Sequence, residues 1–284
     1  MSAVGLVLHH EREQAAELAR ELTAWLAARG HEVRLPVGDA TVSDLGEHAW
    51  AEDRLAEGLD LAVSLGGDGT MLRTVDLVSA QGVPILGVNV GQLGYLTEVE
   101  PDDVLGALDD VLAGRHRIES RMLIEATVER ADGTRETHLA LNEAVLEKTP
   151  MGHTVRLSVQ VDGEVFITYA ADGLIVATPT GSTAYSLSAR GPIVAPTHRA
   201  MLLTPVSPHM LFDRSLVLEP DDELTLTVAG HRPATLSVDG RTLGELAEGD
   251  RMTCTAAALS VRLVTFGRRD FLQILKTKFA LFDR

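Results

Sequence analysis

Cys254 is the only cysteine in the 284 residues. A lone thiol excludes an internal disulfide framework and any cysteine-based metal site. Positive charge is also short. Lys and Arg number 25 against 41 Asp and Glu, for a formal net charge of −16. That balance argues against a nucleic-acid backbone or an anionic membrane as the main partner, since both reward clusters of Lys and Arg. It leaves room for a phosphorylated small molecule, because a local pocket can hold an anion inside an acidic chain. No apolar run approaches the roughly 20 residues of a membrane span. The opening "MSAVGLVLHHEREQ" has neither the basic start nor the long apolar stretch of a signal peptide, so the expected location is a reducing cytoplasm. Several motifs are missing as well. There is no G-x-x-x-x-G-K-[ST] loop, no G-x-G-x-x-G opening the first helix and no G-x-S-x-G elbow. The ten histidines show no metal-ligand spacing.

What is present is 45% hydrophobic residues, enough for a sizeable core, in a chain long enough for one large domain or two ordinary ones. The first third alternates short apolar runs with helical patterns. "AVGLVLHH" (3–10) reads as a buried strand, and Leu18, Leu22, Trp25 and Leu26 form the stripe of a helix ending at Gly30. Residues 41–58 carry only a weak helical pattern. "LDLAVSL" (59–65) is a strand, 71–82 suits a helix, 83–91 a strand and 101–114 a helix. Strands alternating with helices indicate a mostly parallel sheet with helices on its faces. Near residue 119 the period changes to two, with Asp-Gly turns at 132–133, 162–163 and 239–240. Period two with such turns means antiparallel hairpins. The expected organisation is α/β plus all-β: an α/β domain at 1–118, and a β-rich domain at 119–265. The tail returns to helix, with Phe271, Leu275 and Phe279 on one stripe.

Three stretches carry candidate chemistry. The first is "SLGGDGTML" (64–72), at a strand end leading into a helix. Ligands of a parallel sheet sit at the carboxyl ends of its strands, and a helix N-terminus offers free N–H groups to a phosphate. Asp68 there is open to two readings: a base that takes a proton from a hydroxyl attacking a phosphoryl group, or a helix N-cap in an ordinary turn. The second is "ADGLIVATPTGSTAYSLSARGPI" (171–193), dense in Thr, Ser and Gly after an apolar strand. It suits a polar, planar ligand such as an adenine with its ribose; the alternative is a long Ser/Thr loop between hairpins. The third is "LNEAV" (141–145), where Asn142 and Glu143 interrupt an apolar strand. Neighbouring strand residues face opposite ways unless the chain bends, and a surface pair is an equal alternative.

Taken together, "GGDGTML", "GVNVGQLGYLTEVE", "LNEAV", "DGLIVATPTGSTAYSLSARGPI" and "LTPVSPHML" resemble, in order and spacing, the NAD kinases of the ATP/polyphosphate type. GGDGT alone is shared with phosphofructokinases and lipid kinases; "PTGSTAYSLSA" is far more diagnostic. The resemblance implies a Rossmann-like N-terminal domain completed by 266–284, a C-terminal β-sandwich, and transfer of the terminal phosphoryl of ATP, or of polyphosphate, to the 2′-hydroxyl of the adenosine ribose of NAD. It implies Asp68 as general base, with Gly67, Gly69 and Thr70 shaping the phosphate site. Asn142 would lie near the adenine, Glu143 near a ribose hydroxyl and Asp172 at the nicotinamide end. Thr183, Ala184, Tyr185 and Ser188 would line the adenine pocket, with Ser207 and His209 near the nicotinamide. Mg²⁺ is implied as bridging the donor, and a homodimer or homotetramer as the assembly. Three positions depart from the pattern. Arg190 stands where many members have glycine, and Arg241 where glutamine is common. Ala170 stands where some members place an arginine linked to strict NAD use, which suggests that NADH is accepted too. Two other readings share parts of this signal: a lipid or sugar kinase with only GGDGT in common, and a dinucleotide-sensing module without catalysis.

Overall fold

The computed structural model describes residues 1–149, 153–267 and 270–281. The chain forms two compact units, Met1–Ser120 with Leu259–Arg284, and Arg121–Ala258.

In the first unit, Ala3–Leu8 (β1) is apolar throughout and buried at every position, as a strand covered on both faces must be. Glu13–Ala27 (α1) turns Leu18, Leu22 and Leu26 inward. Glu32–Pro36 (β2), Val37–Val42 (α2), Ala49–Trp50 (β3), Leu61–Gly66 (β4), Asp68–Val78 (α3), Ile85–Asn89 (β5) and Val104–Leu112 (α4) follow. The strands pair in parallel in the order β5-β4-β1-β2-β3. From β1 the chain therefore builds first toward β2 and then returns to the other side through β4. The order reverses between β1 and β4, and a parallel sheet opens a crevice at the carboxyl ends of such a pair. Leu8 and Gly66 are the residues at those two ends. The weakly patterned 41–58 stretch holds the last two residues of α2, short 3-10 turns and β3. It is fixed by side chains instead: the Arg34 guanidinium lies 4.0 Å from the Trp50 ring centroid.

In the second unit, most residues lie in antiparallel strands. These are Arg117–Glu129 (β6, entered from the first unit), Arg135–Ala140 (β7), Glu143–Lys148 (β8), Val155–Val161 (β9), Glu164–Ala171 (β10) and Gly173–Ala177 (β11). After the short helix Tyr185–Ser188 (α5) come Met201–Val206 (β12), Leu216–Leu218 (β13), Leu224–Val228 (β14), Ala234–Val238 (β15), Arg241–Leu246 (β16) and Arg251–Thr265 (β17). One sheet runs β13-β12-β11-β8-β15-β16, and the other contains β10-β9-β14-β17 with β6 and β7. Leu146, Leu174 and Leu236 of one sheet join Leu157, Tyr169 and Leu226 of the other in a single apolar core, the arrangement of a β-sandwich. At 162–163 and 239–240 both turn residues have positive φ, 51° and 78°, then 48° and 78°, as the two-residue hairpin turns favoured by Asp-Gly require. Cys254 is wholly buried, and burial pushes its thiol up to about 12, which makes it inert.

The chain returns to the first unit along β17, where Leu263 pairs in parallel with Ile85, and closes with Phe271–Lys278 (α6). The expected apolar stripe of this helix is only partly buried: Leu275 is covered, whereas Phe279 is exposed. No described helix is long and apolar enough to cross a membrane.

Candidate active site

Gly67, Gly69, Asp68 and Thr70 line a cavity of about 600 Å³ at the carboxyl ends of β1 and β4. The helix here starts three residues earlier than its apolar pattern suggests. Gly67 is the N-cap and Asp68 opens α3, with no side chain capping the first turn. The N-cap reading of Asp68 is thereby overturned. Its carboxylate reaches across to the following loop, where one oxygen accepts the Tyr95 N–H and the other the Leu96 N–H, each at 3.0 Å. A carboxylate oxygen has a second lone pair, so both remain able to accept from a ligand. Burial pushes the Tyr95 phenol up, and the Asp68 charge adds to it. A Cβ on Gly94 would collide with the Asp68 carboxyl, so that glycine keeps the carboxylate's place open.

The glycines of the loop have different causes. A Cβ at Gly66 would strike the Thr70 side chain, so packing demands glycine there. A Cβ at Gly67 or Gly69 would meet nothing within 4 Å, and Gly67 has an ordinary φ of −101°. Neither packing nor backbone demands these two glycines; what they preserve is free space against the helix N-terminus. The first intrahelical bond runs from Met71 N–H to Gly67 O at 3.1 Å, so the N–H groups before it have no partner within the helix.

Cations gather on this cavity in an otherwise acidic chain. Arg12, Arg73 and Lys278 all line it. The Arg12 guanidinium donates to Val90 O and occupies the space a side chain at Gly91 would need. Arg73 is gripped by Asp39 at 2.5 and 3.2 Å. Asp39 is fully buried, accepts the Leu8 N–H at 2.7 Å and pairs with His10 Nε2 at 2.7 Å. Lys278 Nζ sits 4.4 Å from the Tyr95 ring centroid. None of these residues was singled out in the sequence. Arg73 left a signal, because it lies four residues after Gly69 and so on the same helix face. Arg12, Asp39 and Lys278 left none.

The remaining candidates belong to the second unit. The chain bends at Leu141 and Asn142, and β8 starts at Glu143, so the bend that could bring neighbouring side chains together does occur. Glu143 is 7% exposed, and its Oε2 has no hydrogen-bond partner. Burial, with the nearby Asp239 charge, pushes its carboxyl up to about 8 against a lowering bond from the Tyr185 backbone. Asp172 pairs with Lys148 at 3.0 Å, and the Tyr185 hydroxyl donates to Glu147 at 3.3 Å. Asp172 and Tyr185 line one cavity of about 680 Å³. Tyr185, Ser188 and Ser207 line another of about 360 Å³. Thr183 donates to Thr180 O at 3.3 Å, and the His209 N–H to Ala170 O at 2.8 Å. Thr183, Ala184, His209, Asn142 and Glu143 line neither cavity.

Arg190 sits at φ +67° just past α5, with its N–H on Leu187 O at 3.0 Å. That left-handed conformation costs a side-chain-bearing residue about 1 kcal/mol or more. Glycine at this place therefore has a local cause, the end of a helix. Arg190→Gly is expected to raise the melting temperature by about 2 °C, read by calorimetry; a fall would mean that the guanidinium has a stabilising partner.

The comparisons cover nearly all of the chain. A family model described as the ATP-NAD kinase N-terminal domain matches residues 4–116, and one described as the ATP-NAD kinase C-terminal domain matches 141–266. The NAD kinase of Heliobacterium modesticaldum is 44% identical over 281 residues, covering 98% of this chain and 98% of the relative. That of Geobacter metallireducens is 39% identical, covering 97% and 96%. Among solved structures, yeast NADH kinase complexed with NADH superposes with a TM-score of 0.92 at 26% identity, over 100% of this chain and 89% of that one. An Archaeoglobus fulgidus NAD kinase in complex with ATP shares the fold, with a TM-score of 0.76 at 23% identity over 99% and 100%.

Proposed function

The chain belongs to the NAD kinase family, phosphotransferases with an alcohol as acceptor, and we propose that Asp68 is the base in its transfer of phosphate from ATP to NAD. The observation that carries this reading is the position of Asp68. It is a carboxylate at an uncapped helix N-terminus whose two neighbouring glycines keep open space. The donor's phosphates lie against the first turn of α3, where unpaired N–H groups and the positive end of the helix dipole favour them. Arg12, Arg73 and Lys278 supply further positive charge. The 2′-oxygen of the adenosine ribose attacks the terminal phosphorus, its proton passes to an Asp68 oxygen, and the bond from that phosphorus to the bridging oxygen breaks to release ADP. A carboxylate is a weak base, so the proton moves late, as the new oxygen–phosphorus bond forms. The Tyr95 and Leu96 N–H groups hold the carboxylate against rotation while this happens.

NAD itself is held by the second unit in this reading. Asn142 faces the adenine and Glu143 a ribose hydroxyl, Asp172 takes the nicotinamide end, Thr183, Ala184, Tyr185 and Ser188 line the adenine pocket, and Ser207 and His209 lie near the nicotinamide. Ala170 leaves NADH acceptable as well, and the likeness to a yeast NADH kinase supports that.

Magnesium fits as a passenger of the donor. Among the described residues no three His, Cys, Asp or Glu side chains converge as a cage. A magnesium ion that arrives on phosphates needs only one or two protein carboxylates. Glu11, which lines the cavity beside Asp68, is the one that would hold it. When bound it offsets the charge of the transferring phosphoryl group. Chelation is expected to lower turnover by more than about 100-fold, on the scale of a lost charge clamp, with full recovery on adding Mg²⁺. The melting temperature should stay unchanged, because the described residues build no cage of their own. A coupled assay with ATP or polyphosphate as donor, and NAD or NADH as acceptor, tests the whole reading. Turnover of neither acceptor with either donor would contradict it.

A further inference from the structure

The turn at Asp239-Gly240 reads in the sequence as hairpin chemistry and nothing more, yet its carboxylate is spent on another part of the unit. One Asp239 oxygen accepts the Leu141 N–H at 2.7 Å; the other accepts those of Asn142 at 2.8 Å and Glu143 at 3.0 Å. In return the Asp239 N–H donates to Glu143 O at 3.0 Å. From the opposite side, Thr178 Oγ1 donates to Leu141 O at 2.5 Å and the Thr178 N–H to Asn142 O at 2.9 Å. Every backbone N–H and C=O of the three-residue bend thus has a fixed partner. Three of those six bonds end on one carboxylate about a hundred residues away.

We propose that Asp239 is a positioning residue: its carboxylate holds the Leu141–Glu143 bend in the one shape that presents Asn142 and Glu143 to NAD. Burial, and after it the Asp239 charge, keeps Glu143 in its neutral acid form. The inference rests on the reading that Asn142 and Glu143 contact the dinucleotide. The charge distribution decides which of the two acids keeps the proton. Burial leaves Asp239 raised as well, but three backbone N–H groups and Arg241 oppose that rise and favour its ionised form. Glu143 has one such bond, from the Tyr185 backbone, and a buried oxygen with no partner at all. Of the charged and titratable groups that act on it, Asp239 comes from the β15–β16 turn and Tyr185 from the 178–188 loop; β11 brings none. Glu143 is therefore the acid that stays neutral. A neutral carboxyl offers a ligand an O–H donor that a carboxylate lacks, and it does not repel the NAD diphosphate.

The hairpin at Asp162-Gly163 supplies an internal control. Asp162 makes the same kind of turn and accepts one N–H, that of Glu223, at 2.9 Å, on an exposed edge. A purely structural role for a turn aspartate is what Asp162 shows.

The test is steady-state kinetics of the purified full chain across pH 6–10 with NAD and ATP–Mg²⁺. For the wild type, kcat/KM for NAD falls as pH rises through about 8, because Glu143 loses its proton there. Asp239→Asn keeps an acceptor oxygen but removes the charge. It raises the KM for NAD by about tenfold, the size of a lost charged hydrogen bond. It leaves the KM for ATP within about twofold, and it moves the alkaline midpoint for NAD to lower pH, which a structural role alone would not do. Glu143→Gln, which cannot ionise, abolishes the alkaline fall in kcat/KM and keeps the experiment decisive if Asp239→Asn folds poorly. Asp162→Asn changes neither KM. An unshifted midpoint in Asp239→Asn, or an alkaline limb surviving in Glu143→Gln, overturns the inference. Asn142→Ala with a wild-type KM for NAD would instead overturn the reading on which it rests.

Discussion

Asp68→Asn is expected to lower kcat for NADP formation by about 10³-fold, within the range of lost general-base catalysis, while NAD still binds with a Kd within about threefold of the wild type. An amide cannot take the ribose proton, yet it is the size of a carboxylate and leaves the open space beside Gly67 and Gly69 intact. The substitution has a second consequence. In the native chain both oxygens accept backbone N–H groups, from Tyr95 and Leu96. An amide offers one oxygen and one NH₂, so one of those N–H groups then faces a donor, at a cost of about 1–3 kcal/mol. A lower melting temperature is therefore expected alongside the kinetic loss. Lost turnover with retained NAD binding, measured by calorimetry, assigns the loss to chemistry. Loss of NAD binding in the same proportion would make Asp68 an anchor of the 90–98 loop rather than a base.

Gly181→Ala is expected to be the most damaging single methyl group in the second unit. Gly181 lies against the backbone of Asn142, and a Cβ there would overlap the Asn142 carbonyl group and come within 2.7 Å of its Cα. Backbone cannot swing aside as a side chain can, and Asn142 is held from both directions by Asp239 and Thr178. The added carbon must move either the bend or the loop that starts with Thr178. Overpacking of this kind costs about 1–3 kcal/mol, which predicts a melting temperature lower by several degrees. Because the displaced backbone carries Asn142 and Glu143, the KM for NAD should rise by more than about tenfold while that for ATP changes little. Equal loss toward both substrates would mean that the damage is global.

The contrast between these two sites explains what could be read in advance. GGDGT was legible because its chemistry is local: a strand end, small residues and a helix start lie within five positions, and the parallel order of the first unit puts them in a crevice. The hairpins were legible for the same reason, since Asp-Gly at positive φ is a two-residue decision. The helix starts earlier than its pattern suggests: two of its first three positions are Gly69 and a solitary Asp68, both poor helix formers, and tertiary bonds to the 90–98 loop override that preference. The apolar stripe at Phe271, Leu275 and Phe279 gave the helix correctly but not its burial, because periodicity shows a face and not what covers it. Asp39 and Asp239 were invisible in principle. Each is an ordinary residue in its own neighbourhood, and each acquires its role from partners that lie 29 to 98 positions away. Arg190 was noticed as a departure, and its backbone conformation now gives the physical reason that glycine suits the position.

The measurement that bears most directly on the whole account is a phosphorus NMR spectrum of the product made by the purified chain from NAD and ATP–Mg²⁺, followed by reaction with an NADP-specific dehydrogenase. One new phosphomonoester is expected, on the 2′-oxygen of the adenosine ribose, fully reducible by that dehydrogenase and formed in step with ADP. An ester on any other hydroxyl, or release of ADP and inorganic phosphate with NAD unchanged, would contradict it.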